Sequence, residues 1–152
     1  MHVLTVYAHP NPKSFCHAIL EQFNEGLREA GHTFVAPVHF LSFPAMLKGW
    51  LDRVMTPGFA YDLTAEAWRG DINGRRPRLT HVKALILQTT IFDKRAYDAG
   101  LREAMRMVID EFTLTYPGIK NVHHEYFYAV HGADEPTRRG YLARAHTLGR
   151  EF

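Results

Sequence analysis

The sequence is short of most features that mark a specialised class of protein. Its 152 residues contain a single cysteine, Cys16, which excludes an internal disulfide and a cysteine-rich metal site. No apolar run approaches the roughly 20 residues that cross a bilayer, and a formal net charge of +2 is too small to indicate nucleic-acid binding. The first residues lack the basic region and cleavage site of a secretory signal. These absences predict one domain over residues 1–152, cytoplasmic and without a membrane span.

Two classes of ligand motif are also missing. Ten histidines are present, but none shows a His-x-x-x-His or His-Glu-x-x-His spacing, so we predict no metal site. The glycine-rich Walker and Rossmann patterns are absent from the sequence as well. Their absence disfavours a nucleoside triphosphate site and a Rossmann dinucleotide site.

What the sequence does contain is a regular alternation of strand-like and helix-like segments. Apolar, strand-like runs occupy residues 2–8, 33–40, 84–87 and 127–130. Helical patterns begin near Ser14, near Pro44 and near Asp134, and Leu101, Met105, Val108 and Phe112 predict one long helix between the last two strands. Residues 62–82 read as a loop. This alternation predicts an α/β doubly wound parallel sheet with helices on both faces, whose ligands bind at the carboxyl ends of the strands.

The loop after the first strand has the groups of an anion-binding site. Ser14 can cap the following helix, whose first N–H groups carry partial positive charge. His9, Asn11 and Lys13 add donors around the same point. The alternative is an ordinary turn capped by Ser14.

Three segments, in order, resemble the NAD(P)H:quinone oxidoreductase family of flavoproteins, the DT-diaphorase type. Residues 6–15, VYAHPNPKSF, are similar to the opening of that family, and residues 43–61, from FPAMLKGWLDRV to PGFAY, are similar to its second signature. Thr89-Thr90 closes a buried strand, and Tyr97 follows, as in a third element.

The resemblance implies a flavodoxin-like homodimer that binds FAD or FMN and passes hydride from NAD(P)H to a quinone or a similar acceptor. Tyr97 matches a tyrosine that stabilises charge on the reduced flavin, and Phe59 and Tyr61 match the acceptor pocket. The implied cofactor-binding residues are His9, Ser14, Phe15, Cys16, His17, Thr89, Thr90, Ile91 and Phe92. The alternative is a regulatory or binding subunit of the same fold, with little or no reductase activity. A one-electron carrier is disfavoured because the chain is not acidic.

Several positions depart from the family pattern. Ile91-Phe92 stands where the family has a Gly-Gly pair, and Glu103 stands where a histidine works beside the tyrosine. Cys16, at a helix start, is either a thiol of lowered pKa or a buried filler, and we expect the filler. The Arg75–Arg78 cluster is either a site for the 2′-phosphate of NADPH or a solvated turn, and we expect the turn.

The largest departure is an apparent internal gap between Phe34 and Phe43. At this point the family carries several dozen residues, which include an acidic helix, a third strand and a Phe-Pro-Leu-Trp-type loop against the flavin. Here only residues 35–42 bridge the two points. One strand-helix unit is therefore expected to be missing, either because a segment of a longer protein is left out or because it was lost naturally.

Overall fold

A computed structural model describes residues 4–27 and 32–151, and within them four parallel strands form the main sheet. Across the sheet they lie in the order β1 (Leu4–Tyr7), β2 (His32–Pro37), β5 (Lys83–Thr89) and β6 (Asn121–Phe127). A separate antiparallel hairpin is formed by β3 (Tyr61–Leu63) and β4 (Arg75–Pro77). The predicted α/β parallel sheet is confirmed, and the segment expected to be a loop contains a short hairpin instead.

Helices connect the strands and cover both faces of the sheet. They are α1 (Phe15–Gly26), α2 (Ala45–Val54), α3 (Ala65–Trp68), α4 (Lys94–Ala96), α5 (Arg102–Met105) and α6 (Glu135–Glu151), with π-helical segments at Tyr97–Leu101 and Arg106–Thr115. In the part of the chain that the structure describes, none of these helices combines the length and the apolarity that crossing a bilayer requires.

Side chains along the strands alternate between two faces, and each face packs against its own helices. The α2 face packs against α2 and the helical stretch 94–115, and its strand residues are Phe34, Ala36, Ala84, Ile86 and Tyr126. The α1 face packs against α1 and α6, and its strand residues are Val35, Leu85, Leu87 and Phe127. The continuous apolar run of β5 follows from this double coverage.

The predicted long helix is broken by π-helical turns. Gly100, at φ 130°, interrupts the stretch, and ten residues from Arg106 are π-helical. Because the π-helix bonds i to i+5, the buried positions are Met105, Ile109 and Leu114. Val108 and Phe112, which a 3.6-residue period places in the core, are half exposed.

The last strand begins earlier than its apolar residues indicate. β6 spans Asn121–Phe127, whereas the sequence pattern predicted residues 127–130. Tyr126 and Phe127 are the buried hydrophobic residues of this edge strand, and His123 is exposed. Because the first residues of β6 are mainly polar, a prediction based on apolar runs misses the start of the strand.

The connection from β1 to β2 has the opposite hand to the other two connections of the sheet. The chain steps across the sheet in one direction, from β1 to β2 to β5 to β6. The helices between β2 and β5, and between β5 and β6, lie on the α2 face, whereas α1 lies on the α1 face. Parallel crossovers are right-handed in about 98% of cases, which assigns that hand to the two connections on the α2 face. The β1-α1-β2 crossover runs in the same direction on the opposite face, so it is left-handed.

The left-handed crossover indicates a different position for the strand-helix unit that we expected to be missing. We expected a break between Phe34 and Phe43, but His32–Pro37 occupies the inner place beside β5, with its following turn intact. A strand added outside β1, followed by a helix on the α2 face, would make both new crossovers right-handed without moving α1. The sheet therefore favours the junction between Leu27 and His32, and not the one between Phe34 and Phe43, as the place of the expected unit. Residues 28–31, at that junction, lie outside the described residues.

Two glycines let α1 and α6 touch through their backbones. A Cβ atom on Gly26 would lie 2.0 Å from the carbonyl oxygen of His146, and one on Gly149 would lie 2.2 Å from that of Phe23. No side chain fits at such distances, so this crossing fixes how α1, and the loop before it, sit on the sheet.

Candidate functional site

The carboxyl ends of the strands gather three loops at one edge of the sheet. The N–H of Ala8 donates to the Val35 carbonyl at 3.2 Å, which continues the β1–β2 ladder into the first loop. The N–H of Val38 donates to the Thr89 carbonyl at 2.8 Å, and that of Thr90 donates to the Phe127 carbonyl at 2.9 Å. These bonds hold the loops after β1, β2 and β5 side by side.

The first loop is folded by its own polar side chains. The N–H of Asn11 donates to Nδ1 of His9 at 3.0 Å, and the N–H of Lys13 donates to Oδ1 of Asn11 at 2.9 Å. Ser14 caps α1, because its Oγ accepts the His17 N–H at 3.1 Å. The N–H groups of Phe15 and Cys16, in the first turn, have no acceptor within the helix. The loop thus presents the N-terminus of α1 to an anion.

The side chains that follow Ser14 lie mainly inside the protein. The Phe15 ring packs near Tyr141, at 6.4 Å between ring centroids, and the Arg138 guanidinium lies 5.6 Å from its centroid. The His17 ring meets the edge of Tyr7, and its buried Nδ1 has no hydrogen-bond partner among the described residues. Phe15 and His17 therefore shape the loop from within, and the backbone supplies the donors.

Cys16 joins the first loop to the end of β5. The thiol is buried, and burial raises its pKa to about 11, although a hydrogen bond with the Thr89 side chain lowers it slightly. The expected buried filler is confirmed, because the thiolate is disfavoured at neutral pH.

We expect the Cys16 thiol to resist alkylation in the folded protein. Iodoacetamide at neutral pH should modify it no faster than the protein unfolds, because the thiolate is the nucleophile. The raised pKa predicts in addition that the free energy of unfolding falls as pH rises from about 9 towards 11, since the unfolded thiol ionises first. For the alkylation, mass spectrometry of native and urea-unfolded samples measures the labelling. Stoichiometric labelling of the native protein within minutes would contradict the burial described here.

The turn after β2 is strained and exposes an aromatic ring. His39 and Ser42 exchange two backbone hydrogen bonds of 2.9 Å, with Phe40 and Leu41 between them. These two residues have φ values of 47° and 59°, a region that disfavours side chains other than Gly, Asn and Asp. The Phe40 side chain is fully exposed. Strain of this kind collects at functional sites.

A cavity of about 590 Å³ opens between this turn and the loop after β5. Its walls are largely apolar, and it is lined by Val38, His39, Phe40, Leu41, Thr90, Ile91, Phe92 and Leu101. Thr90, Ile91 and Phe92 were predicted from the sequence, and the structure brings them together here. Residues 38–41 were missed, because the loop they form was expected to be absent. The available signal for a cavity-lining loop was Pro37-Val38-His39-Phe40, which directly follows a strand.

The loop after β5 is fixed by hydrogen bonds on both sides. Oγ1 of Thr90 accepts the Phe92 N–H at 3.2 Å, and the Phe92 carbonyl accepts the Ala129 N–H at 2.9 Å. The side chains of Ile91 and Phe92 are left exposed at the cavity. An apolar wall, rather than a bare backbone, therefore faces a ligand here.

Tyr97 lies beneath the cavity and not in its lining. Its side chain is buried between Tyr126 and Tyr128, at 4.7 and 5.1 Å between ring centroids. Burial raises the pKa of Tyr97, the nearby Thr90 hydroxyl lowers it slightly, and no described atom lies within hydrogen-bond geometry of its hydroxyl. The tyrosine is thus held close to Thr90 with an unsatisfied hydroxyl.

Phe59 and Tyr61 lie away from this cavity. Phe59 lines a second, apolar pocket of about 230 Å³, together with Leu4 and Trp50. Tyr61 packs edge-on against Tyr116, at 5.1 Å between ring centroids. Within one copy of the chain, these two residues do not meet the cofactor-binding residues predicted from the sequence.

The remaining charged positions have structural partners. The Arg75 side chain donates to the Tyr116 carbonyl at 3.0 Å, and Arg78 donates to the Gly58 carbonyl at 2.8 Å. Glu103 pairs with Arg106, which lowers the pKa of the carboxyl group. Arg75 and Arg78 therefore brace the hairpin, and Glu103 serves as an exposed ion-pair partner.

The family model described as the flavodoxin-like fold matches residues 32–148. The chain belongs to this flavodoxin-like family. The match begins at the first residue of β2, so it leaves β1 and α1 outside.

Two similar proteins carry the names of an oxidoreductase and a dehydrogenase. An uncharacterized NAD(P)H oxidoreductase of Haemophilus influenzae is 30% identical over 115 residues, which cover 74% of this chain and 53% of that protein. The human ribosyldihydronicotinamide dehydrogenase [quinone] is 30% identical over 115 residues, covering 72% of this chain and 46% of that protein. The chain thus spans about half the length of the curated relatives it matches.

A solved structure aligns over nearly the whole chain. The NAD(P)H:quinone oxidoreductase from Methanothermobacter marburgensis has a TM-score of 0.84 and 29% identity, covering 99% of this chain and 98% of that one. The resemblance to NAD(P)H:quinone oxidoreductases predicted from the three sequence motifs is confirmed.

Proposed function

We propose that this chain binds a flavin, FMN or FAD, and uses it to reduce a quinone-type acceptor with NAD(P)H. The observation that carries the proposal is the meeting of an anion-binding loop and an apolar cavity at one edge of the sheet. The names of the relatives support the same activity.

The first loop suits the phosphate end of the cofactor. The helix N-terminus at Ser14 offers N–H donors and a positive dipole end, and Lys13 adds a charge beside it. His9 and Asn11 fold the loop so that these donors converge. We assign phosphate binding to His9, Ser14, Phe15, Cys16 and His17.

The cavity suits the planar, largely apolar ring system. Phe40 and Leu41 form one wall, and Ile91 and Phe92 form the other. When bound, the flavin supplies the two-electron redox chemistry between NAD(P)H and the acceptor. The walls would exclude water and orient the ring, Thr89 and Thr90 would place the loop, and we assign to Tyr97 the stabilisation of charge on the reduced ring.

We further propose that the acceptor pocket is completed by a second copy of the chain. Phe59 is exposed, and so are Met107, Val108 and Phe112 on the π-helical segment Arg106–Thr115. An association that buries these side chains would bring Phe59 and Tyr61 of one copy to the cavity of the other. Sedimentation equilibrium measures whether the chain is dimeric.

A second candidate is a regulatory or binding subunit that keeps the fold and lacks reductase activity. It is favoured by Ile91-Phe92, whose side chains occupy the wall where the family's glycines leave space. The expected loss of a strand-helix unit, which is a departure from the family pattern, favours it as well.

Titration with FMN and FAD, followed by NADPH oxidation in the presence of benzoquinone, tests the proposal. We expect flavin to bind stoichiometrically and NADPH consumption to require the quinone. Ser14→Ala should weaken FMN binding about tenfold, or about 1.4 kcal/mol, and destabilise the protein by about 1 kcal/mol through loss of the cap.

Asp134→Ala is the matched control, because Oδ1 of Asp134 caps α6 by accepting the Thr137 N–H at 2.9 Å. It should cost similar stability and leave FMN affinity unchanged. Flavin binding without NADPH oxidation would assign the regulatory role. Failure to bind either flavin would end the reductase proposal and leave the regulatory or binding role.

A further inference from the structure

A buried polar cluster lies under the α2 face, and the proposed function does not use it. His124 of β6 is only 4% exposed, and its Nδ1 lies 2.8 Å from Oδ1 of Asp110. Its Nε2 lies 2.9 Å from Oε1 of Gln88, a fully buried residue of β5. The Tyr126 ring stacks on the imidazole at 4.1 Å between centroids, and its hydroxyl lies 3.0 Å from Nδ1. The imidazole is therefore held at both ring nitrogens and on one face.

The cluster extends to the cavity turn through Gln88. Nε2 of Gln88 donates to the Ser42 carbonyl in a long hydrogen bond of 3.5 Å. Ser42 closes the turn that holds Phe40 and Leu41 at positive φ. The chain of contacts thus runs from Asp110, near the surface, to the wall of the cavity.

We propose that His124 is a positioning residue whose protonation state sets the orientation of the Gln88 amide, and hence whether that amide holds the cavity turn. With both ring nitrogens protonated, His124 donates to Asp110 and to Oε1 of Gln88. The amide nitrogen then faces the Ser42 carbonyl, as in the structure.

With one ring proton, the arrangement depends on which nitrogen carries it. The Asp110 carboxylate keeps that proton on Nδ1, so Nε2 becomes an acceptor. Gln88 must then turn its NH₂ towards His124, which leaves its oxygen against the Ser42 carbonyl oxygen. Two acceptors cannot bond, so the turn loses its side-chain contact with Gln88, while the bond from the Val38 N–H to the Thr89 carbonyl remains.

The charged groups around His124 define where the change occurs. Burial lowers the pKa of His124, Asp110 raises it, and His123 and Arg102 lower it, so the net direction is down. The tied state is the cationic one, and it is favoured as pH falls through this lowered pKa.

NMR on the ligand-free protein tests the coupling. Ring ¹⁵N shifts of His124 and amide shifts of Phe40, Leu41 and Ser42 are followed between about pH 5 and 8. We expect the turn amides to titrate with the midpoint of His124. Gln88→Met, which keeps the size and removes the relay, should leave His124 titrating and make the turn insensitive to pH.

His123→Gln is the matched control, because this neighbouring histidine is exposed and lies outside the cluster. It should move the midpoint upward, because His123 lowers the pKa of His124, and leave the size of the turn's response unchanged. Turn amides that do not move while His124 titrates, or that still titrate in Gln88→Met, would overturn the proposal, as would a His124 ring that does not titrate in this range.

The consequence for ligand binding rests on the proposed function. FAD, whose phosphodiester groups do not titrate in this range, should bind about fivefold more tightly below the His124 midpoint, the effect of one hydrogen bond. Gln88→Met should abolish this pH dependence. If FAD binds at no pH, the proposed function fails, whereas the NMR coupling stands or falls on its own.

Discussion

Replacing Gly149 with alanine should lower the free energy of unfolding by about 3 kcal/mol, the upper end of what overpacking costs. The new Cβ would lie 2.2 Å from the Phe23 carbonyl oxygen and 2.9 Å from the Leu27 nitrogen, both of them backbone atoms. A flexible side chain could move aside, but a helix backbone cannot. The helices α1 and α6 would have to separate, and the interior packing of Ile19 and Phe23 would be lost with the contact.

Gly140→Ala, in the same helix, is the control. A Cβ at Gly140 meets nothing within 4 Å, so the substitution should stabilise the protein by about 1 kcal/mol through helix propensity. Urea unfolding of both variants measures the difference, which should approach about 4 kcal/mol in total. If Gly149→Ala behaves like Gly140→Ala, the helices do not cross through these glycines.

Phe40→Asn should have two effects of opposite sign. Asparagine tolerates positive φ, so the substitution should stabilise the fold by about 1 kcal/mol, and the exposed phenyl ring has no packing to lose. The same substitution removes a wall of the cavity, so FMN should bind about fivefold more weakly, which corresponds to about 1 kcal/mol of aromatic contact. Thermal unfolding and fluorescence titration with FMN measure the two effects.

Phe40→Ala separates the two causes. Alanine keeps the strain at positive φ but removes the ring, so FMN binding should weaken without a gain in stability. If Phe40→Asn and Phe40→Ala have equal stability, the turn stores no strain. If neither weakens FMN binding, Phe40 does not contact the flavin.

The sequence predicted those parts of the fold that depend on local patterns. Ser14 as a helix cap, the apolar run of β5 and the alternation of strands with helices all express short-range rules. The start of β6 was not predictable from apolar residues, because His123 faces solvent on an edge strand. Phe40 and Leu41 gave no turn signal, since neither residue type favours positive φ.

The candidate site was predicted in part for the same reason. The loops around Ser14 and Thr90 are contiguous motifs, and a resemblance can point to them. The cluster of Gln88, Asp110 and His124 joins three distant segments, so no local pattern could reveal it. The inner position of β2 depends on the whole sheet, and it required a crossover hand that sequence rules count as improbable.

Because their crossover is left-handed, β1 and α1 form a segment that docks on the rest of the fold and is separate from its right-handed connections. Residues 32–151 contain the right-handed connections, whereas residues 4–27 reach their place by the disfavoured route. The segment 4–27 carries the anion-binding loop, whereas residues 32–151 form the cavity. A phosphate group held at Ser14 would therefore stabilise the docked segment by mass action, as a ligand stabilises the state it binds. Affinity for the phosphate and attachment of residues 4–27 are then linked, so that a change in one changes the other.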